Sequence, residues 1–169
     1  MTDEVDEAQA RWRLSRPEIG DRLPGAFVRI LRINNLVRGL TDTALSGYGV
    51  DRAGFEVLAV LARAGEPVSP ARIADELHLT RAAVTKRLRQ VEATEMVRRR
   101  PHHQDGRSVV IELTGRGSAT VFPALDEIVR LENAWLGELP ETDRAALDTG
   151  LRRLLAVLVE EEGKRAEDG

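Results

Sequence analysis

The feature that most constrains the fold is a change in hydrophobic period near the middle of the chain. Before it, apolar residues recur at helical spacing, and Thr80 is placed to cap a helix that runs to about Thr94. After it, the helical period is lost, and Met96–Arg100 and Val109–Leu113 are predicted as two short strands. Helices followed by a hairpin of this length predict a helix-turn-helix with a β-hairpin wing.

Capping and breaking residues mark the other helices. Ser69 and Pro70 form a typical helix start, and Gly65 with Pro67 ends the helix before it. After a short leading helix over residues 6–16, the predicted order is four helices, two strands and two helices, a mainly α fold with a small β-hairpin wing. Helices are expected over residues 6–16, 23–46, 51–64, 70–77, 80–94 and 114–136, with a last one from Pro140.

The last predicted helix carries an apolar seam that needs a partner. Leu147, Leu151, Leu154 and Leu158 fall at 4-3-4 spacing, which forms one stripe on a helix. Packing within one chain would satisfy this seam. Because the first and last long helices are both striped, we favour a two-fold homodimer.

The chain divides by expected role rather than by linkers. The winged helix-turn-helix is the expected DNA-binding region, and the flanking helices are the expected dimerisation region. The predicted segments are an N-terminal extension over 1–20 with an extra helix, dimerisation helices over 21–50 and 114–162, the DNA-binding region over 51–113, and a disordered tail over 163–169.

Charge is unevenly distributed along the chain. The net charge is −3 at pH 7, yet residues 80–107 carry eight basic against three acidic side chains. This asymmetry concentrates positive potential on one part of an acidic molecule. Such a patch is typical of nucleic-acid binding, while a solvated basic helix face would produce the same composition.

Composition excludes several other classes. The chain has no cysteine and three histidines, which rules out thiol chemistry and argues against a zinc centre. No apolar run approaches the roughly 18 residues of a spanning helix, and the acidic N-terminus does not resemble a signal peptide. A phosphate-binding glycine loop and a histidine–nucleophile pair are also missing from the sequence. We therefore expect a soluble cytoplasmic protein that is not an enzyme and uses no cofactor or metal.

The fourth predicted helix carries the candidate DNA-reading surface. Its apolar side chains form one stripe, so the side chains of the opposite face point to solvent. Arginine and lysine reach guanine edges or phosphates, threonine donates to either, and alanine leaves room for a thymine methyl. The candidate contacts on this helix are Thr80, Arg81, Ala82, Thr85, Lys86 and Arg89.

The wing adds a second candidate contact. The Asp105-Gly106-Arg107 sequence places a guanidinium at the tip of a thin hairpin, which can enter a narrow minor groove. A carboxylate is repelled by phosphates, so Asp105 is expected to orient a nearby arginine. Asp105 and Arg107 therefore complete the candidate DNA-binding set.

Arg87 does not fit the DNA-reading surface. It lies between Val84 and Val91 on the inward side of the helix, where a guanidinium is costly without an acidic partner or a ligand. An internal salt bridge, a side chain that extends to solvent and a ligand site all remain open at this point.

These motifs together resemble the MarR family of bacterial transcriptional regulators. The resemblance covers roughly residues 22–160 and rests on the helix-turn-helix, the wing's Asp-x-Arg, and the Leu113-Thr114-x-x-Gly117 sequence that follows it. It implies an obligate homodimer, a palindromic operator on double-stranded DNA, and repression relieved by a small molecule.

A narrower resemblance is to the urate-responsive and PecS-like branch of that family. Trp12 in an extra N-terminal helix and the Thr-x-Arg-Leu pattern that contains Arg87 carry it. It implies an effector site formed by Trp12, Glu56, Arg87 and Arg99. The chain departs from the pattern in having glutamate for aspartate at Glu56, and Glu95 where the family usually has glycine. A left-handed backbone at Glu95 would cost roughly 1–2 kcal/mol, so we expect the turn there to differ.

The leading hypothesis is a homodimeric, sequence-specific DNA-binding regulator. It would repress its own or neighbouring genes until a small anionic or aromatic effector binds. The alternative is a winged-helix protein-interaction module without specific DNA binding. Exposed large apolar side chains on the fourth helix would favour the alternative. The side chains predicted to be exposed there are mainly basic, which favours DNA binding.

Overall fold

The computed structural model describes residues 2–20, 24–101 and 108–167 of the chain. Their architecture is mainly helical with one antiparallel hairpin, which confirms the predicted fold class. The elements are α1 (Glu4–Ser15), α2 (Pro17–Gly20), α3 (Gly25–Ser46), α4 (Arg52–Ala64), α5 (Pro70–Glu76), α6 (Arg81–Ala93), β1 (Val97–Pro101), β2 (Val109–Leu113), α7 (Gly115–Gly137) and α8 (Glu141–Glu167).

Helices α4, α5 and α6 begin where their capping residues predict. The side chains of Asp51, Ser69 and Thr80 each accept a hydrogen bond from the backbone N–H three residues later. Gly65 ends α4 in the left-handed conformation, with a φ of 66°. Local capping chemistry therefore fixes the bounds of the elements that carry the candidate site.

The first of two compact units spans residues 1–125 and contains the core around the hairpin. Leu58 of α4, Ile73 of α5, Leu88 of α6 and Ile111 of β2 are all fully buried. Ile111 also exchanges two 2.8 Å backbone hydrogen bonds with Val68, which ties the wing to the loop before α5. The hairpin is therefore anchored in the same core that supports α6.

The second unit spans residues 126–169 and contains the rest of α7 and all of α8. The predicted disordered tail over 163–169 is wrong as far as Glu167, because α8 continues to that residue. Lys164 pairs with Glu160 at 2.9 Å and with Glu161 at 3.0 Å, and pairs at this spacing stabilise a helix end. Within the described residues, no helix is both long and apolar enough to cross a membrane.

The N-terminal extension forms a helix that is fixed to α3. Asp3 caps α1 in a capping box, and its carboxylate also accepts hydrogen bonds of 2.7 and 2.9 Å from Arg29. The Arg29 guanidinium holds the pKa of Asp3 down to about 2, and Asp6 accepts a third bond from the same side chain. Val5 is buried beside this cluster. The predicted extra helix is thus confirmed; the short α2 that follows it was not predicted.

Two sets of large apolar side chains remain exposed in the single chain. One set lies on α3 of the first unit and the other on α8 of the second unit. The α8 set includes three of the four leucines of the predicted seam, so this seam has no cover of its own within the described residues. The exposed residues are Phe27, Val28, Leu31, Ile33, Leu36 and Leu40 on α3, and Leu147, Leu151, Leu155, Val157, Leu158 and Val159 on α8.

The turn between α6 and β1 keeps a left-handed residue although that residue is not glycine. Glu95 has a φ of 58°, so the expectation that this turn would differ is wrong. The Met96 N–H donates to the Val91 carbonyl at 3.0 Å, and the Thr114 hydroxyl donates to the Glu95 carbonyl at 2.7 Å. These bonds hold the turn in a conformation that an L side chain disfavours.

We expect Glu95→Gly to raise the free energy of unfolding by about 1 kcal/mol, because it removes a Cβ from a left-handed position. Urea denaturation followed by circular dichroism measures the change. Glu95→Ala is the control, since it removes the exposed carboxylate but keeps the Cβ. Equal stabilisation by both variants would contradict the backbone explanation.

Candidate nucleic-acid interface

The candidate interface is built on α6, the second helix of the helix-turn-helix. Val84, Leu88 and Val91 are buried against the core, which fixes the rotation of the helix about its axis. His78 has a φ of 52° in the turn before it, and the Leu79 N–H closes that turn on the Ala74 carbonyl at 2.9 Å. The opposite face of α6 therefore points to solvent.

The predicted contact residues of α6 lie together on that solvent face. Thr80, Arg81, Ala82, Thr85, Lys86 and Arg89 are all exposed. Thr80 caps the helix through the Ala83 N–H at 3.2 Å, and the Thr85 hydroxyl donates to the Arg81 carbonyl at 2.8 Å. Within the described part of the chain, the cationic groups of Arg81, Lys86 and Arg89 have neither an ion pair nor a side-chain hydrogen bond. These three charges are available to a polyanion.

The other arginines of the basic segment that the structure describes form ion pairs with carboxylates. Arg99 of β1 binds Glu92 of α6 through two hydrogen bonds of 2.5 and 3.0 Å, which raise the pKa of Arg99. Arg98 and Arg100 both bind Glu112, which lies on the neighbouring strand. The free positive charge of the described segment is therefore concentrated on α6, a distribution that composition alone does not reveal.

Glu112 stays ionised although its side chain is largely buried. Burial raises the pKa of this carboxyl, but hydrogen bonds from Arg100 and Arg98 outweigh burial and hold the pKa below its usual range. Because the folded pKa is lowered, this interaction stabilises the fold above the carboxyl's ordinary titration range and is lost as the pH falls through the folded pKa.

Asp105 and Arg107 lie outside the described residues. Their predicted roles at the wing tip therefore remain predictions. The strands that lead to them are described, and they pair in register with Val97 opposite Leu113 and Pro101 opposite Val109.

The structure brings together two of the four residues implied as an effector site. The Arg87 Nη1 lies 2.5 Å from the Glu56 Oε2, with both side chains about three-quarters buried. Trp12 is 46% exposed and lies on α1 in a separate depression beside Arg11. Arg99 is held by Glu92. The internal salt bridge, one of the three interpretations of Arg87 that the sequence left open, is therefore present.

The Glu56–Arg87 pair forms part of the wall of a pocket of about 560 Å³. Its wall includes Arg38 from α3, which the sequence reasoning did not single out, and Arg52 from α4. Arg38 Nη1 lies 3.9 Å from the second oxygen of Glu56. In the sequence, Arg38 stands out only as a charged residue between the apolar Val37 and Leu40 of a striped helix. That pattern is too weak to assign it a role.

A helix-turn-helix, an antiparallel wing anchored in its core, and a solvent-facing helix with unpaired cations define a winged helix-turn-helix protein of the DNA-binding class. Residues 48–108 match the model of the MarR family. The chain is also 30% identical over 158 residues to the HTH-type transcriptional regulator PecS of Dickeya dadantii (strain 3937), which covers 92% of this chain and 95% of PecS. The chain belongs to the MarR family.

Solved structures share the fold. The S. aureus MepR–DNA complex has a TM-score of 0.69 and 21% identity, covering 82% of this chain and 98% of that one. A mutant of E. coli MarR complexed with operator DNA has a TM-score of 0.66 and 23% identity, covering 85% and 97%. At these identities the likeness extends to the fold alone.

Proposed function

We propose that this chain is a cytoplasmic homodimeric repressor that binds a palindromic operator and releases it when a small anionic or aromatic effector binds. The observation that carries the proposal is the set of unpaired cations on the solvent face of α6. Two such helices enter successive major grooves about 34 Å apart, and the wings flank them. The family and the DNA-bound MepR and MarR structures support this docking.

The exposed apolar stripes support the homodimer. Each unit carries its own stripe, on α3 and on α8, and a second copy would cover both. We expect sedimentation equilibrium to give twice the 18.7 kDa mass of one chain. Target genes adjacent to the regulator follow from the family resemblance.

The exposed side chains of α6 support the protein-interaction alternative less well than they support DNA binding. A protein-binding helix presents large apolar or aromatic side chains at its centre. None of the exposed large apolar residues among the described positions lies on α6. Its exposed side chains are basic, small or uncharged polar, which suits a phosphate backbone and base edges.

The Glu56–Arg87 pair supports the effector half of the proposal. It joins α4 to the recognition helix α6 at the wall of the pocket, so a ligand that disturbs the pair also disturbs the DNA-reading helix. A coupling free energy of roughly 1–3 kcal/mol between the two sites suffices to weaken operator binding several-fold.

We expect Arg87→Ala to raise at least about 10-fold the concentration of benzoate, our probe anion, that releases half of the bound DNA, because the link from the pocket to α6 is lost. Fluorescence anisotropy of a labelled duplex measures the release. Release of DNA from the variant at an unchanged benzoate concentration would show that the pair does not transmit the signal. The unliganded variant must first be shown to bind the duplex.

A further inference from the structure

With one exception, each charged side chain that lines the pocket has a hydrogen-bond partner. Arg52 donates to Asp42 at 2.6 Å and to the Thr41 hydroxyl, so its charge is neutralised. Asp51 accepts the Gly54 N–H at 2.7 Å as the cap of α4. Glu56 is held by Arg87 through one oxygen. Every carboxylate of the wall therefore has a hydrogen-bond donor.

Arg38 is the exception. Within the described part of the chain, its guanidinium has only the 3.9 Å approach to Glu56, which is too long for a hydrogen bond, and its side chain is 51% exposed. Of the three arginines that line the pocket, it is the one whose side chain makes no hydrogen bond to a described residue. A guanidinium with free donors is a ready partner for a carboxylate, which it can bind through two parallel hydrogen bonds.

Binding an anion at Arg87 instead would carry a larger cost. Arg87 is already engaged by Glu56, and an incoming anion would have to displace a carboxylate that is about three-quarters buried. Leaving such a carboxylate without a partner is unfavourable. An anion at Arg38 avoids this displacement, because no donor of the guanidinium is hydrogen-bonded to Glu56.

From this balance we infer that Arg38 anchors the effector, and that the effector is a compact organic monocarboxylate. The inference rests on the proposed function and assigns the chemistry of its pocket. One free guanidinium matches one negative charge, and Val50 and Ala53 offer apolar surface to the body of the ligand. The volume of about 560 Å³ admits a molecule of the size of a substituted benzoic acid.

The position of Arg38 also gives the anion a route to the recognition helix. The bound carboxylate takes the guanidinium that faces Glu56 Oε1, and its charge repels the Glu56 carboxylate. The other oxygen of that carboxylate holds Arg87 of α6. Arg38 therefore binds the anion, and Arg87 transmits the change.

The test is isothermal titration of benzoate into the full chain without DNA. We expect Arg38→Gln to weaken benzoate binding at least about 10-fold, since one charge-assisted hydrogen-bonded pair is lost. Arg63→Gln, at an exposed arginine of α4 outside the pocket wall, is the matched control and should leave binding unchanged. Benzamide, the neutral counterpart, should bind at least about 10-fold more weakly than benzoate.

Three results would overturn the inference: no benzoate binding by the unsubstituted chain, equal binding by Arg38→Gln, or equal binding of benzamide and benzoate. Arg38→Lys provides a second variant, which keeps the charge but loses the two-point geometry and should bind with intermediate affinity. The measurement contains no DNA, so failure of operator binding would leave it unaffected. A different result would be release of the operator by benzoate from Arg38→Gln and from the unsubstituted chain at the same concentration. That result would refute the role of Arg38 as the anchor and would leave the repressor proposal intact.

Discussion

Replacing Gly117 with alanine should lower the free energy of unfolding by about 3 kcal/mol or more. A Cβ built at Gly117 lies 2.0 Å from the carbonyl oxygen of Met96 and 2.9 Å from its carbonyl carbon. Both atoms belong to backbone, and the same oxygen accepts the Thr114 N–H at 3.1 Å. Relief of the clash requires the start of α7 to separate from the hairpin. Stabilities of single domains are only about 5–15 kcal/mol, so the loss is large.

Urea denaturation followed by circular dichroism, at one fixed protein concentration, measures this loss. Gly115→Ala is the matched control, because a Cβ there meets no atom within 4 Å. We expect the control to stay within about 1 kcal/mol of the unsubstituted chain. An Arg116 variant is unsuitable as a control, since that side chain lies near Glu95. Similar midpoints for Gly117→Ala and the unsubstituted chain would contradict the close approach.

The second large effect is expected at the DNA-reading face. The double variant Lys86→Ala/Arg89→Ala should lose at least about 100-fold in affinity for its operator at about 0.15 M salt, because each dimer loses four unpaired cations from the major-groove surface. The salt dependence should also weaken, by about 0.9 in the logarithmic slope for each phosphate contact removed. Fluorescence anisotropy across a salt series measures both quantities.

Arg98→Gln/Arg100→Gln provides a matched control for net charge. It removes the same number of positive charges from the same segment, but from side chains that already share an ion pair with Glu112, and the glutamine amides keep N–H donors for that carboxylate. We expect this variant to lose less than about 10-fold in affinity. Equal losses in the two double variants would mean that overall charge, rather than the face of α6, determines binding.

The helix starts and the hairpin could be predicted from the sequence because local chemistry specifies them. The caps Asp51, Ser69 and Thr80 work over three residues, and the period of the strands is set by alternation between two faces. The outward face of α6 followed from the same periodicity. The motif position of Gly117 was also visible in the sequence, but its reason, contact with the Met96 carbonyl, depends on the fold.

The pairing of charges could not be predicted, because it depends on which elements pack side by side. In the sequence the basic segment forms one continuous patch. In the fold, Arg99 pairs with Glu92 of α6, and Arg98 pairs with Glu112 of the neighbouring strand. Arg38 lies 18 positions before Glu56 and 49 before Arg87 in the sequence, and only the packing of α3, α4 and α6 brings them to one pocket. The Glu95 turn was mispredicted because its hydrogen bonds offset the cost of a left-handed side chain.

The central claim is that two copies of the α6 face read DNA together, and selection of bound sequences from random duplexes tests it most directly. We expect recovery of a palindrome whose half-sites are centred one helical turn apart, about 10 base pairs. Recovery of duplexes with no sequence preference at moderate salt would contradict sequence-specific reading by this face.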